Sequence, residues 1–178
     1  MPLTNVPLPY GLRDVKVYPI SSAGVVGSAV DLPNSRTFSF EESEDFEELR
    51  GDDKVIATRG SGATVDWEIE SGGISLEAYA VMAGGTVTST GTTPNQKKSY
   101  TKLGADSKPR FKVEGQAMSE SGGDFHVVLY NCKATEGLSG ELGDQTFWLT
   151  SGSGVAIPDP SSDKVYDFVQ NETAVTIT

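Results

Sequence analysis

The alternation in residues 63–70, ATVDWEIE, constrains this chain more than any other stretch. Val65, Trp67 and Ile69 share one face of an extended strand, and Asp66, Glu68 and Glu70 share the other, because successive strand side chains point to opposite sides. Such a strand has one wet face and one dry face, and the dry face needs a second layer to cover it. Residues 54–59 alternate too, and Gly60-Ser61-Gly62 reads as the connection between two strands. The turn Ser71-Gly72-Gly73-Ile74 then leads into the one convincing helix, 75–83. Ser75 is placed to cap it, Glu77 puts a negative charge in its first turn, and Gly84 and Gly85 end it. The period switches from two to 3.6 across one glycine-rich turn. This predicts a sheet passing straight into a helix that covers one of its edges or ends.

The other segments extend this pattern. Residues 12–20 alternate, with Val15 and Val17 opposite Asp14 and Lys16, and 24–32 reads as a weaker second strand before the turn Pro33-Asn34-Ser35. In 36–49, Phe38, Phe40 and Phe46 share a parity, and Glu41, Glu42, Glu44, Asp45, Glu47 and Glu48 place six carboxylates in eight residues. Glutamate propensity and the spacing of Phe46 and Leu49 allow a helix over 41–49. The aromatic parity favours a long strand whose outer half projects past the core. Residues 86–109 are rich in Thr, Ser, Gly, Asn and Lys without sustained periodicity, and read as a long loop of the kind that usually serves function or interaction. Residues 110–118 and 124–133 read as antiparallel strands around the turn 119–123. Phe111 and Val113 share a face of the first; Phe125, Val127 and Leu129 share a face of the second. Short strands follow at 146–150, 155–157, 165–169 and 174–177. Pro2, Pro7 and Pro9 make 1–11 an extended N-terminal arm. With 20 Gly and 9 Pro among 178 residues, the expected fold is mainly β: a two-sheet antiparallel β-sandwich or barrel with one flanking α-helix, in a single domain over 1–178.

Charge and residue inventory exclude several function classes. The formal charge is −11, from 25 Asp+Glu against 14 Lys+Arg, opposite in sign to what phosphate binding requires. A lone cysteine, Cys132, gives no disulfide framework. The longest apolar run, 78–83, is far short of the ~20 residues that span a bilayer. The N-terminus has no charged segment followed by an apolar one, so we expect a soluble chain made in a cytoplasm, without membrane partners. His126 is the only histidine; six residues from Cys132 on one strand, at ~3.3 Å per residue, it lies roughly 20 Å away, too far to serve it as a base. We expect His126 to be a partly exposed strand residue and Cys132 to pack as a small hydrophobe. Two such ligands do not make a zinc site, and no Walker loop, dinucleotide fingerprint or EF-hand is present. The acids come as runs on strand faces rather than as isolated carboxyls, so no catalytic residue, cofactor or metal is expected. Asp52 and Asp53 read as a solvated turn rather than a calcium site, and Arg50-Gly51-Asp52 as a polar hairpin turn. The sequon Asn171-Glu172-Thr173 is expected to be silent. Trp67 and Trp148 suggest a sugar-binding platform, against which stands the expectation that at least one lies in the core.

Several stretches, in order, resemble the major tail tube proteins of long-tailed bacteriophages with non-contractile tails. They are GDDKVIATRGSGATVDWEIESGGISLEAYAVMAGG at 51–85, GTTPNQKKSYTKLG at 91–104, FKVEGQAMSESGGDFHVVLYNCKAT at 111–135, FWLTSGSGVAIPD at 147–159 and KVYDFVQNET at 164–173. The resemblance implies a sandwich or barrel with one helix. It also implies homohexameric rings whose inner sheets join into one β-barrel, stacked into a hollow tube through which genomic DNA passes without specific binding. The implied location is the virion tail, assembled in the host cytoplasm beside tape-measure, terminator and baseplate proteins. On that likeness, Glu41, Asp45, Asp66, Glu68 and Glu70 are candidate lumen acids, by their parity opposite Phe38, Phe40, Val65, Trp67 and Ile69. The loop 86–110, with Lys97, Lys98, Lys102, Lys108 and Arg110, is a candidate inter-subunit contact between rings. The competing readings are a tail-terminator or other ring component of the same fold, a carbohydrate-binding β-sandwich module, and, last, an enzyme.

Overall fold

The computed structural model describes residues 6–137, 139 and 143–178. Strand makes up 57% of it, and the expected class holds: mainly β, antiparallel, with one helix. The strands are β1 (Pro9–Ile20), β2 (Val30–Asp31), β3 (Ser35–Gly51), β4 (Lys54–Gly72), β5 (Thr86–Thr90), β6 (Lys97–Thr101), β7 (Arg110–Ser119), β8 (Asp124–Ala134), β9 (Leu149–Ala156) and β10 (Tyr166–Asn171). The helix α1 (Leu76–Ala83) follows β4. Eight strands form one antiparallel sheet in the order β2-β1-β7-β8-β9-β4-β3, with β10 also paired to β8; β5 and β6 make a separate hairpin.

This sheet folds over on itself at β8. The first half of β8 pairs with β10, from Asp124↔Asn171 to Leu129↔Tyr166, and its last residues pair with β9, Cys132↔Ala156 to Ala134↔Gly154. The change of partner falls on a bulge opposite β7, between the pairs Phe111↔Cys132 and Val113↔Leu129. There Asn131 takes φ = 45°, a left-handed conformation that asparagine tolerates better than most residues. Its side chain is fixed on both sides, donating to the Pro158 carbonyl at 2.9 Å and accepting from Arg110 at 3.1 Å. The two layers so formed enclose one core: Val15, Val17, Phe111, Val113 and Leu129 from one, Val65, Trp67, Ile69 and Ala156 from the other. Trp67 meets Phe111 edge-on, with ring centroids 5.4 Å apart.

The helix closes this core, with Ala78, Val81 and Met82 joining the same cluster. Its boundaries are those the sequence announces. Ser75 Oγ accepts from the Ala78 amide at 3.3 Å, and Gly84 ends the helix at φ = 79°.

The alternation at 63–70 is borne out: Val65, Trp67 and Ile69 are buried, Asp66 and Glu68 exposed. So is the strand reading of 36–49, since β3 runs 17 residues and its outer half stands in solvent. Several expectations are corrected, among them the strand at 174–177, which joins no ladder. Gly60-Ser61-Gly62 does not connect two strands; β4 runs through it for 19 residues, and β3 pairs along the whole length with a register shift there. The ladder's own turn is at Asp52-Asp53, whose φ values of 50° and 60° suit a two-residue hairpin turn, as the polar-turn reading of 50–52 anticipated. The 86–109 segment is not a structureless loop but holds the β5–β6 hairpin, because its Thr and Ser residues alternate on a ribbon too polar to show a hydrophobic period. Of the weak strand at 24–32, only β2 and the bridge Ile20↔Val26 form.

Residues 6–11 of the expected arm lie against the β7–β8 turn: Leu8 donates to Ser119 Oγ at 3.1 Å and accepts from the Glu120 amide at 2.9 Å. Residues 1–5 of that arm lie outside the described residues.

The β8–β9 junction is packed too closely for a side chain at Gly154, where an added Cβ would sit 2.1 Å from the Lys133 carbonyl oxygen. Gly154→Ala is expected to cost about 2–3 kcal/mol and lower Tm by roughly 5–10 °C in thermal denaturation. Gly104→Ala, with open space at the same position, is expected to stay within about 0.5 kcal/mol of wild type.

Candidate functional site

The layer β3-β4-β9 presents an acidic face. Cross-strand register places Glu41 beside Asp66, Ser39 beside Glu68 and Thr37 beside Glu70, all on the side opposite Trp67 and Ile69. The next strand, β9, adds only Val155, Ser153 and Ser151 to these rows. Glu41, Asp66 and Glu68 line a shallow groove of about 380 Å³ together with Glu136, whose carboxylate accepts from Ser153 Oγ at 2.9 Å. Glu70 sits at the margin, half-buried and paired with Arg36 at 3.3 Å. Lys133, opposite Val155, is a second cation bordering the face. Asp45 is set apart from the other candidates. It falls at the register shift between Glu44 and Phe46, where the β3–β4 ribbon leaves the sandwich.

Beyond that shift the ribbon has water on both faces. Residues 44–51 extend it by roughly 25 Å at ~3.3 Å per residue. It carries Phe46, Leu49, Val55 and Ile56 in exposed positions, with Phe46 63% and Ile56 66% exposed. The outer edge of β3 pairs with no strand among the described residues. Long, partly apolar free edges are what isolated proteins avoid, because they template pairing with other chains.

Four of the five cations assigned to inter-ring contact are engaged within the chain. Lys98 pairs with Glu77 at the helix start, and Lys102 donates to the Ala83 carbonyl at the helix end, where a cation suits the helix dipole and its free carbonyls. Lys108 donates to the carbonyls of Thr135 and Glu136 at 2.9 and 2.6 Å. Arg110 holds the Asn131 bulge. Lys97 alone is exposed with no partner among the described residues. The β5–β6 hairpin is thus tied to the domain rather than hanging from it.

His126 departs from its expected place. It is only 5% exposed, on the outer face of β8, with Nδ1 2.9 Å from Glu114 and Nε2 3.0 Å from Asp124. Burial opposes charge on the ring, but hydrogen bonds to the two carboxylates outweigh it and raise the His126 pKa above its ordinary value. Burial likewise pushes Glu114 and Asp124 up, yet their hydrogen bonds hold both below the usual carboxylate range. The sequence signal for this cluster is the row of Lys112, Glu114 and Gln116, which alternates with Phe111 and Val113 and pairs with Tyr18, Lys16 and Asp14.

Cys132 is fully buried, as expected, and burial pushes its thiol up. Trp67 is in the core and Trp148 is half-buried, so the two do not form one sugar platform. Asn171 of the sequon donates to Asp124 at 2.8 Å. No group of acidic, His or Cys side chains suited to a metal ion is present among the described residues, and no described helix is long and apolar enough to cross a membrane.

No family model matches the chain, and no curated protein sequence matches it. The tail-tube likeness therefore stands on the sequence motifs alone.

The cations differ in expected effect. Lys108→Ala leaves two carbonyls without their donor and is expected to cost about 1 kcal/mol in chemical denaturation. Lys97→Ala is expected to change monomer stability by less than about 0.5 kcal/mol.

Proposed function

We propose that this protein is the subunit of a phage tail tube: homohexameric rings stacked into a hollow cylinder that conducts the viral genome. The observation that carries this reading is the β3–β4 ribbon, a free ladder edge with apolar side chains held in water. Such an edge is a liability in a monomer and an asset in a ring, because pairing it with the next copy satisfies the backbone groups and covers Phe46, Leu49 and Ile56. Head-to-tail repetition of ring contacts then gives a filament.

The acidic face belongs to the same layer as the free edge, so closing that layer into a barrel sets Glu41, Asp66 and Glu68 along one wall of it. A negative wall repels phosphates over about a Debye length, ~8 Å at physiological salt, and keeps a passing duplex from adhering. In this arrangement Asp45 belongs to the ribbon rather than to the wall, and Lys97 is the cation of its hairpin left available to a neighbouring ring. The tube is placed in the virion tail, assembled in the host cytoplasm with tape-measure, terminator and baseplate proteins, and has no catalytic role.

Negative-stain microscopy of the purified chain at rising concentration, with its natural initiator supplied, is expected to show hollow filaments. Replacing residues 47–59 by a two-residue Asn-Gly turn shortens the ribbon and leaves the sandwich in place. This variant is expected to keep its folded signature in circular dichroism and form no filaments; filaments of ordinary length would overturn the proposal. Single closed rings from the wild type would favour the terminator reading instead. Removing 92–103 is a poorer probe, since it deletes β6 and the contacts of Lys98 and Lys102. For the wall, tubes carrying Asp66→Lys and Glu68→Lys are expected to retain duplex DNA at physiological salt, which wild-type tubes release.

A further inference from the structure

The outer face of β1, β7 and β8 is charged, yet it is covered. Residues 174–178 lie across it without joining any ladder, held by side chains that grip the main chain. Asp124 Oδ2 accepts the Val175 amide at 2.8 Å, and Gln116 Nε2 donates to the Val175 carbonyl at 2.9 Å. Lys16 donates to the Ile177 carbonyl at 2.6 Å, and Tyr18 donates to a Thr178 oxygen at 3.0 Å. Ile177 is 3% exposed beneath this strap. Asp124, with no exposed surface, also accepts from Gln116 at 2.5 Å, from Asn171 and from His126. The carboxylate that holds the strap is therefore the one that holds the imidazole.

We infer that residues 174–178 form a pH-gated strap, docked while His126 bridges Glu114 and Asp124 as an imidazolium and released when that ring loses a proton. The reason is geometric. Both ring nitrogens face carboxylate oxygens, and a neutral imidazole has a single N–H, so one carboxylate is left against a lone pair inside a covered site. Asp124 then has a donor fewer or a repelling neighbour, and the Val175 amide is bound by a carboxylate no longer held in place.

The groups around the ring fix the direction. On β7, Lys112 lies 3.1 Å from Glu114, and on β1 Tyr18 OH reaches Glu114 at 3.3 Å. Asp14 and Lys16 of β1 and Asp31 of β2 lie further along the same face. From β10, Val169 is opposite His126, while Asp167 is engaged by Tyr130 and Lys164. Glu172 leads into the strap. The contribution of His126, raised in the fold, is complete below its ordinary value and is lost as pH rises through the raised one. Those of Glu114 and Asp124, lowered in the fold, are complete above their ordinary values and are lost as pH falls through the lowered ones. The strap is thus tightest in mildly acidic solution and loosens towards alkaline pH before the core does.

The test is amide exchange on the full chain between pH 5 and 9, with rates corrected for intrinsic exchange, alongside the His126 ring shifts by NMR. The Val175 amide is expected to lose protection by up to about tenfold for each unit of pH between the ring's ordinary value and its raised midpoint and to level off above that, while Val113 and Leu129 amides keep theirs. His126→Gln is expected to abolish the step. Constant Val175 protection across the range would overturn the inference, as would loss in parallel with the core amides, or a step that survives His126→Gln. If that variant does not fold, the wild-type data decide: the Val175 and His126 midpoints must coincide, and separate midpoints would overturn the inference.

Discussion

The structure depends on a strand that changes partner. A flat antiparallel sheet of this length would leave the apolar side of β4 uncovered. The bulge at Asn131 bends β8 so that one half carries β10 and the other carries β9, and the sheet returns over itself. Trp67 meets Phe111 only because of that bend. Arg110 and the Pro158 carbonyl hold the bulged asparagine from opposite sides, so the start of β7 and the segment after β9 are tied to the corner. The tight approach at Gly154 follows from the same junction.

Folding in this way produces two charged outer faces with different fates. The acidic face of β3-β4-β9 carries carboxylates against few cations and remains open to water, where ions are well solvated and cost little. The face of β1, β7 and β8 mixes Lys16, Lys112 and His126 with Glu114 and Asp124, and such a set can be covered because its members satisfy one another. Charge pattern alone separates a face that stays solvated from one that can be covered. The ribbon differs from both, since it exposes apolar side chains and a free ladder to solvent together.

What was legible in the sequence was local. The parity of Val65, Trp67 and Ile69, the cap at Ser75, the stops at Gly84 and Gly85, and the projecting run of acids after Phe40 each follow from interactions within a few residues. The acids of the candidate face were legible for the same reason, since strand parity is a property of the strand alone. Asp45 was not, because a register shift depends on both strands of a pair. The lysines of 97–108 read as free cations, as nothing local shows that the helix end and the carbonyls of Thr135 and Glu136 lie within their reach.

By itself, then, the sequence determined the kind of chain this is: alternating strands, one capped helix and an excess of carboxylates. Tertiary structure decided that 60–62 stays inside a strand, that 86–101 is a hairpin, and that His126 is enclosed between acids. The reason is that burial, register and ion pairing depend on which segments meet across long loops, and periodicity carries no information about partners. His126 shows this most directly. Its neighbour Glu114 lies 12 residues away in sequence and its other carboxylate partner, Asp124, is bound by the strap at 174–178, so no local reading could have found the whole site they form.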